Sequence, residues 1–141
     1  MKFSTLNGGH SFTVNFTKYK INWNLAPSKI QQTVQDFLFH YWEYDTVLSE
    51  YRIPGSLLRL DIFNCTKKII IEISPEDHHG TFNKFFHKNK SNYLHSIKRD
   101  FAKVNWAKKN NLELIELGQD DVKNISLKYI KEKFGVGLGN I

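Results

Sequence analysis

The stretch TVLSEYRIPGSLLRLDIFNCTKKIIIEIS, residues 46–74, decides the fold. Three runs within it, Thr46 to Ile53, Leu57 to Asn64 and Lys68 to Ser74, are rich in strand-forming residues and are separated only by Pro54-Gly55 and Cys65-Thr66. Links this short force neighbouring strands to run antiparallel, so the stretch reads as a meander of three strands. Side chains on a strand alternate between faces, and residues directly opposite each other share a face. If Pro54-Gly55 and Cys65-Thr66 each close a tight turn, Glu50 and Glu72 both lie opposite Arg59, and Asp61 lies opposite Leu48 and Ile70. Glu50, Asp61 and Glu72 then project from one side of the sheet with Arg59 between them. A slip of a single residue in either turn would destroy that arrangement.

Three carboxylates on one face repel one another. A divalent cation resolves the conflict, because Mg²⁺ or Mn²⁺ is held by a few carboxylate oxygens together with water and substrate phosphate. Asp61, Glu50 and Glu72 are the candidate metal ligands. The competing reading is a solvated face on which Arg59 alone balances the acids.

Outward from the meander, Ser28 and Gln31 form a Ser-x-x-Gln capping pattern just after Pro27, and Ile30, Val34, Phe37, Leu38 and Tyr41 recur at helical spacing. A helix is expected over 28–41. Before it, Phe12 to Phe16 alternates apolar and polar and continues loosely to Tyr19 and Ile21, which suggests an N-terminal β extension over residues 1–27. After the meander and a His-rich loop, Ser91 opens a second helix whose apolar residues are Leu94, Ile97, Phe101, Val104 and Ala107, ending at Asn110-Asn111. Leu112 to Leu117 reads as a strand. Asp120 to Phe134 reads as a final helix, with acids at its start and lysines near its end, as the helix dipole favours. The expected fold is α+β (mixed α/β): helix, antiparallel meander, helix, strand, helix, in one domain over 28–134 with a flexible tail at 135–141.

A chain of 141 residues supports one core. Its net charge of +6 and pI near 9.4 favour polyanionic partners. Lys98, Arg99, Lys103, Lys108 and Lys109 cover one side of the second helix and suit a phosphate backbone or plain solvation. No apolar run approaches the roughly 18–20 residues that cross a bilayer, and MKFSTLNGGH lacks a signal peptide's apolar centre, so a cytoplasmic protein without a membrane partner is expected. The single Cys65 has no disulfide or zinc partner and reads as an inert strand thiol.

Asp100 falls three residues after Ile97 and four before Val104, at the edge of the apolar stripe, where a carboxylate needs a partner. The loop carries Asp77, His78, His79 and His87, and an imidazole beside a metal-bound phosphate can move a proton to or from the reacting oxygens. His78 lies close behind the third strand. His87 has a longer loop and two anchoring aromatics, Phe85 and Phe86, which makes it the favoured candidate. His10, His40 and His95 read as surface residues.

These residues carry a resemblance. The run Val47 to Gly55, then Leu58-Arg59-Leu60-Asp61-Ile62, then Ile70-Ile71-Glu72-Ile73 followed by His78, resembles phage homing endonucleases related to the very-short-patch repair nuclease. That is the branch of the PD-(D/E)xK superfamily described by a Glu, Asp, variable, His, Asp motif. Phe85 to Asn89 and Lys98 to Lys103 look like the same branch, and the likeness spans roughly 28–134.

The resemblance implies a restriction-endonuclease-like core and Mg²⁺- or Mn²⁺-dependent cleavage of double-stranded DNA by a monomer or homodimer in a phage-infected bacterial host. It implies Glu50 and Asp61 as the first two acids, Glu72 at the variable position, His87 or His78 as the imidazole and Asp100 as the last acid. Arg52, Arg59, Lys88, Lys98, Arg99 and Lys103 would contact DNA.

Departures are visible. Ser74 stands where the superfamily's usual Lys is found, which leaves that role to a His or to Lys103, and Pro75 replaces the relatives' common Gly. Gln31 and Gln32 stand where many members carry an acid on the first helix, leaving Glu50 to supply that carboxylate. A non-catalytic DNA-binding relative and a structure-specific junction resolvase are the alternatives.

Overall fold

In the computed structural model, residues 2–4, 11–74 and 101–139 are described. Strands β1 (Lys2–Ser4) and β2 (Ser11–Thr13) pair antiparallel as a small separate sheet. Helices α1 (Phe16–Tyr19) and α2 (Lys29–Trp42) follow, then strands β3 (Val47–Arg52), β4 (Arg59–Asn64) and β5 (Ile69–Ile73). Residues 101–109 are helical (α3) and lead into β6 (Glu113–Leu117), α4 (Gln119–Lys123) and α5 (Leu127–Phe134). The main sheet has the order β3-β4-β5-β6, antiparallel through β5, with β6 parallel to β5. A parallel neighbour needs a long crossover, and α3 lies in it. The molecule is thus mixed α+β, with helices on both faces of the sheet.

The alternation of apolar residues along the strands builds two cores, one on each face. Val47, Ile62, Ile69, Ile71, Ile115 and Leu117 face Val34, Leu38 and Trp42 of α2 and Ile130 of α5. Leu48, Tyr51, Leu60, Phe63 and Ile70 face Trp106 and Ala107 of α3 together with Phe3 and Val14. The N-terminal extension therefore contributes to the second core. Its expected strand stops at Thr13, because the Asn15 side chain caps Lys18 N and starts a helix where alternation had continued to Tyr19.

Both links of the meander are longer than expected. Arg52 pairs with Arg59 and Asn64 with Ile69, so residues 54–57 and 65–68 form the turns. Each link has grown by two residues, which shifts the register but conserves the parity of the cross-strand pairing. The expected final helix is also two, α4 and α5, separated where Asn124 closes one and Ser126 caps the next through Tyr129 N. Asp121 joins them, accepting from Gly118 N, Tyr129 Oη and Lys133 Nζ. In α3, Trp106 and Ala107 are buried while Phe101 and Val104 are exposed, so the helix is rotated from the expected apolar stripe.

The tail expected to be flexible is packed as far as Gly139. Gly135 takes the left-handed conformation that ends α5, Val136 and Leu138 are buried, and Trp42 Nε1 donates to Leu138 O at 2.6 Å. Leu138→Ala should therefore lower unfolding stability in a urea titration by about 2–5 kcal/mol, the range for removing a fully buried leucine. A free tail would give no change.

Candidate active site

Alternation fails at one place in each of the two neighbouring strands. Leu48 and Tyr51 face the same core although three residues apart, and so do Leu60 and Phe63. The slips fall at Glu50 and Asp61, which the register sets opposite each other and which are missing from the otherwise continuous pairing of β3 with β4. Glu50 sits at φ 51°, a left-handed conformation that costs a non-glycine residue about 1–2 kcal/mol. Strain of this kind persists only where the surroundings enforce it, and it concentrates at functional sites.

The pairing of β4 with β5 is interrupted at the same level. Regular pairing ends at Ile62 and Ile71, and side chains then replace backbone acceptors. Asp61 N donates to Glu72 Oε2 at 2.9 Å, and Ile73 N donates to Asp61 Oδ2 at 2.8 Å. Each carboxylate is thereby fixed by the other strand's backbone.

The three acids reach this opening from different sides. Glu72, flanked by first-core residues Ile71 and Ile73, points to the opposite face, where Lys103 Nζ of α3 meets Glu72 Oε1 at 2.5 Å. Glu50 is turned toward α2, with Gln31 Nε2 at 3.5 Å from its Oε1. The expectation that all three project from one face is corrected accordingly. The register shift aligns positions 50, 61 and 72 across the strands, and the slip then turns Glu50 toward α2.

Electrostatics follow from this crowding. Burial, then the charge of Asp61, pushes the Glu72 carboxyl up to about 7 despite the ion pair with Lys103. Burial and Asp61 also raise Glu50, against the Gln31 hydrogen bond and the charges of Arg59 and Lys103. Among the described residues, no three His, Cys, Asp or Glu side chains converge tightly enough to encage a metal by themselves. Asp61 and Glu50 nevertheless supply two neighbouring carboxylates, and Mg²⁺ is commonly held by one or two, with water and phosphate completing its shell.

Of the other candidates, Arg59 is exposed on β4, close enough to act on Glu50, and Arg52 is exposed with its Nε donating to Ser56 O at 2.8 Å. Lys103 leaves the expected phosphate-facing surface and joins the acids. Its spacing held the signal, since Trp106 and Ala107, three and four residues on, are the buried positions of α3. Gln31, expected to cap the first helix and to stand where many relatives carry an acid, instead reaches Glu50. His78, His87, Lys88, Lys98, Arg99 and Asp100 lie outside the described residues. Cys65 is buried and its thiol is pushed up to about 12, chiefly by burial, so it has no thiolate chemistry near neutrality. No protein-family model, curated protein or solved structure matches this chain.

A carboxyl whose folded-state pKa is raised binds its proton more tightly in the folded protein, so its stabilising effect is full below the unfolded value and lost above the folded one. In EDTA, wild-type stability should therefore fall relative to Glu72→Gln as pH rises from 4.5 to about 7. Urea midpoints across that window check it. A constant difference between the two proteins would show that Glu72 titrates alike in both states.

Proposed function

We propose that this chain is a divalent-metal-dependent endonuclease that hydrolyses phosphodiester bonds in double-stranded DNA. The observation that carries the reading is the replacement of regular β4–β5 pairing by Asp61 and Glu72, with Lys103 on Glu72 and Glu50 close by. Replacing backbone acceptors with side chains inside a sheet, and gathering three acids around the gap, has no evident benefit to folding. The described order of helix, antiparallel meander, helix and parallel strand is compatible with the restriction-endonuclease-like core that the resemblance implies. The basic net charge suits a DNA partner.

In this reading Asp61 and Glu50 hold Mg²⁺ or Mn²⁺, with Glu72 beside them. Such an ion supplies Lewis-acid polarisation of the phosphate and a more acidic bound water. Asp61 is held for that task by Ile73 N–H, which leaves Oδ1 outside that bond. Lys103 places a fixed positive charge next to the acids, where it can stabilise charge that develops on the phosphate in the transition state. Lys103 thus takes the role that Ser74 cannot fill. Arg59 and Arg52 stand exposed at the adjoining strand ends, suited to backbone phosphates that fix register without reading sequence. His87 or His78 would serve the proton transfers, and Asp100 would complete the acids. One such site cuts one strand, so a break in both takes two sequential cuts by a monomer or the paired sites of a homodimer.

Plasmid cleavage with Mg²⁺ or with EDTA tests the proposal. Asp61→Asn should abolish cleavage while DNA affinity stays within a few-fold, because the amide keeps the size and loses the charge. Cleavage that survives EDTA would reject the metal mechanism. Wild-type protein that binds DNA and never cuts it would be a non-catalytic binding relative.

A further inference from the structure

Gln35 is fully buried, and its Nε2 lies 3.2, 3.3 and 3.4 Å from the carbonyl oxygens of Asn22, Trp23 and Leu25. A carbonyl can only accept, so the NH₂ of Gln35 must face these three and its Oε1 must face away. On that other side it meets Gln31 Nε2 at 3.3 Å. Gln31, itself buried, must therefore also present its NH₂, and the same nitrogen lies 3.5 Å from Glu50 Oε1. With Gln31 reversed, its oxygen would face Gln35 Oε1 and the Glu50 carboxylate together. The direction of the whole ladder is thus dictated by backbone carbonyls that have no alternative orientation, and it ends in a donor aimed at an acceptor.

The local sequence would have favoured another use of Gln31. In a Ser-x-x-Gln capping box the Gln side chain reaches back to the backbone of the cap residue. Here Ser28 Oγ does accept from Gln31 N at 3.2 Å, but the Gln31 side chain runs to Gln35 and Glu50 instead. The residue it reaches is also the one whose backbone is strained, and such strain must be imposed by neighbours.

We infer that Gln31 is a positioning residue for Glu50, and that Gln35, without touching the acid, sets the direction of that hold. The ladder ties the loop at residues 22–25 to the acid cluster through α2. A ladder serving only to seat that loop would be indifferent to what lies beyond Gln31. The contact itself does not depend on the proposed nuclease reading, but its consequence for catalysis rests on it.

Side-chain NMR of protein labelled with ¹⁵N at glutamine separates the two, since only Gln31, Gln32, Gln35 and Gln119 report. In the wild type the Gln31 NH₂ should exchange slowly. Glu50→Ala should shift its resonance, and Gln35→Leu should both loosen it and remove its dependence on Glu50. In a protein that cleaves DNA, Gln35→Leu should also lower kcat by about 10- to 100-fold with KM for DNA unchanged, as for residues that orient a ligating side chain. A Gln31 amide that ignores Glu50→Ala overturns the inference whether or not the protein cuts DNA. Unchanged kcat in Gln35→Leu overturns the positioning role. A responsive amide in a protein that never cuts DNA upholds the contact and defeats the nuclease reading instead.

Discussion

Everything around the acid cluster depends on one exchange between β4 and β5, in which Asp61 N–H binds Glu72 and Ile73 N–H binds Asp61 in place of the regular ladder. Both N–H groups that the interrupted ladder would leave without acceptors are satisfied in this way, so the strands lose little cohesion at the interruption. What they gain is two carboxylates whose positions are fixed by backbone atoms. The rotamer freedom of both side chains is restricted on folding.

The arrangement is costly at rest. Burial and mutual repulsion raise Glu50 and Glu72, and Glu50 adds a left-handed backbone. Lys103 and Gln31 offset this from opposite faces of the sheet, one with a full charge and one with an amide donor. The two cores on either side of the sheet keep those supports in place, with α2 anchored by Val34, Leu38 and Trp42 and α3 by Trp106 and Ala107. Local strain is thus held by packing elsewhere, the pattern expected where a fold is constrained by more than stability.

Much of the chain was legible from periodicity. The helix after Ser28, the three strands of the meander and the strand over Glu113–Leu117 follow from local spacing, because period and turn residues are properties of neighbours in sequence, whereas the common face expected for Glu50, Asp61 and Glu72 did not hold. Other features depended on distant partners. The packing of Val136 and Leu138 needed Trp42, and the rotation of α3 needed the face built by Leu48, Tyr51 and Phe63. The break between α4 and α5 was foreshadowed by Asn124 and Ser126, but charge at the two ends of the segment obscured it.

The sequence by itself determined that positions 50, 61 and 72 fall near one another on neighbouring strands, since lengthening each turn by two residues conserved the parity of the cross-strand pairing. Tertiary structure alone decided where the acids finally point. The slips at Glu50 and Asp61, the opening between β4 and β5, and the arrival of Lys103 and Gln31 from separate helices arise from charges and backbone groups competing for partners in three dimensions. No window of neighbouring residues contains both sides of that competition. The physical reason is that strand alternation is a local steric rule, whereas the satisfaction of a buried carboxylate is a condition on whatever the fold brings within hydrogen-bond reach.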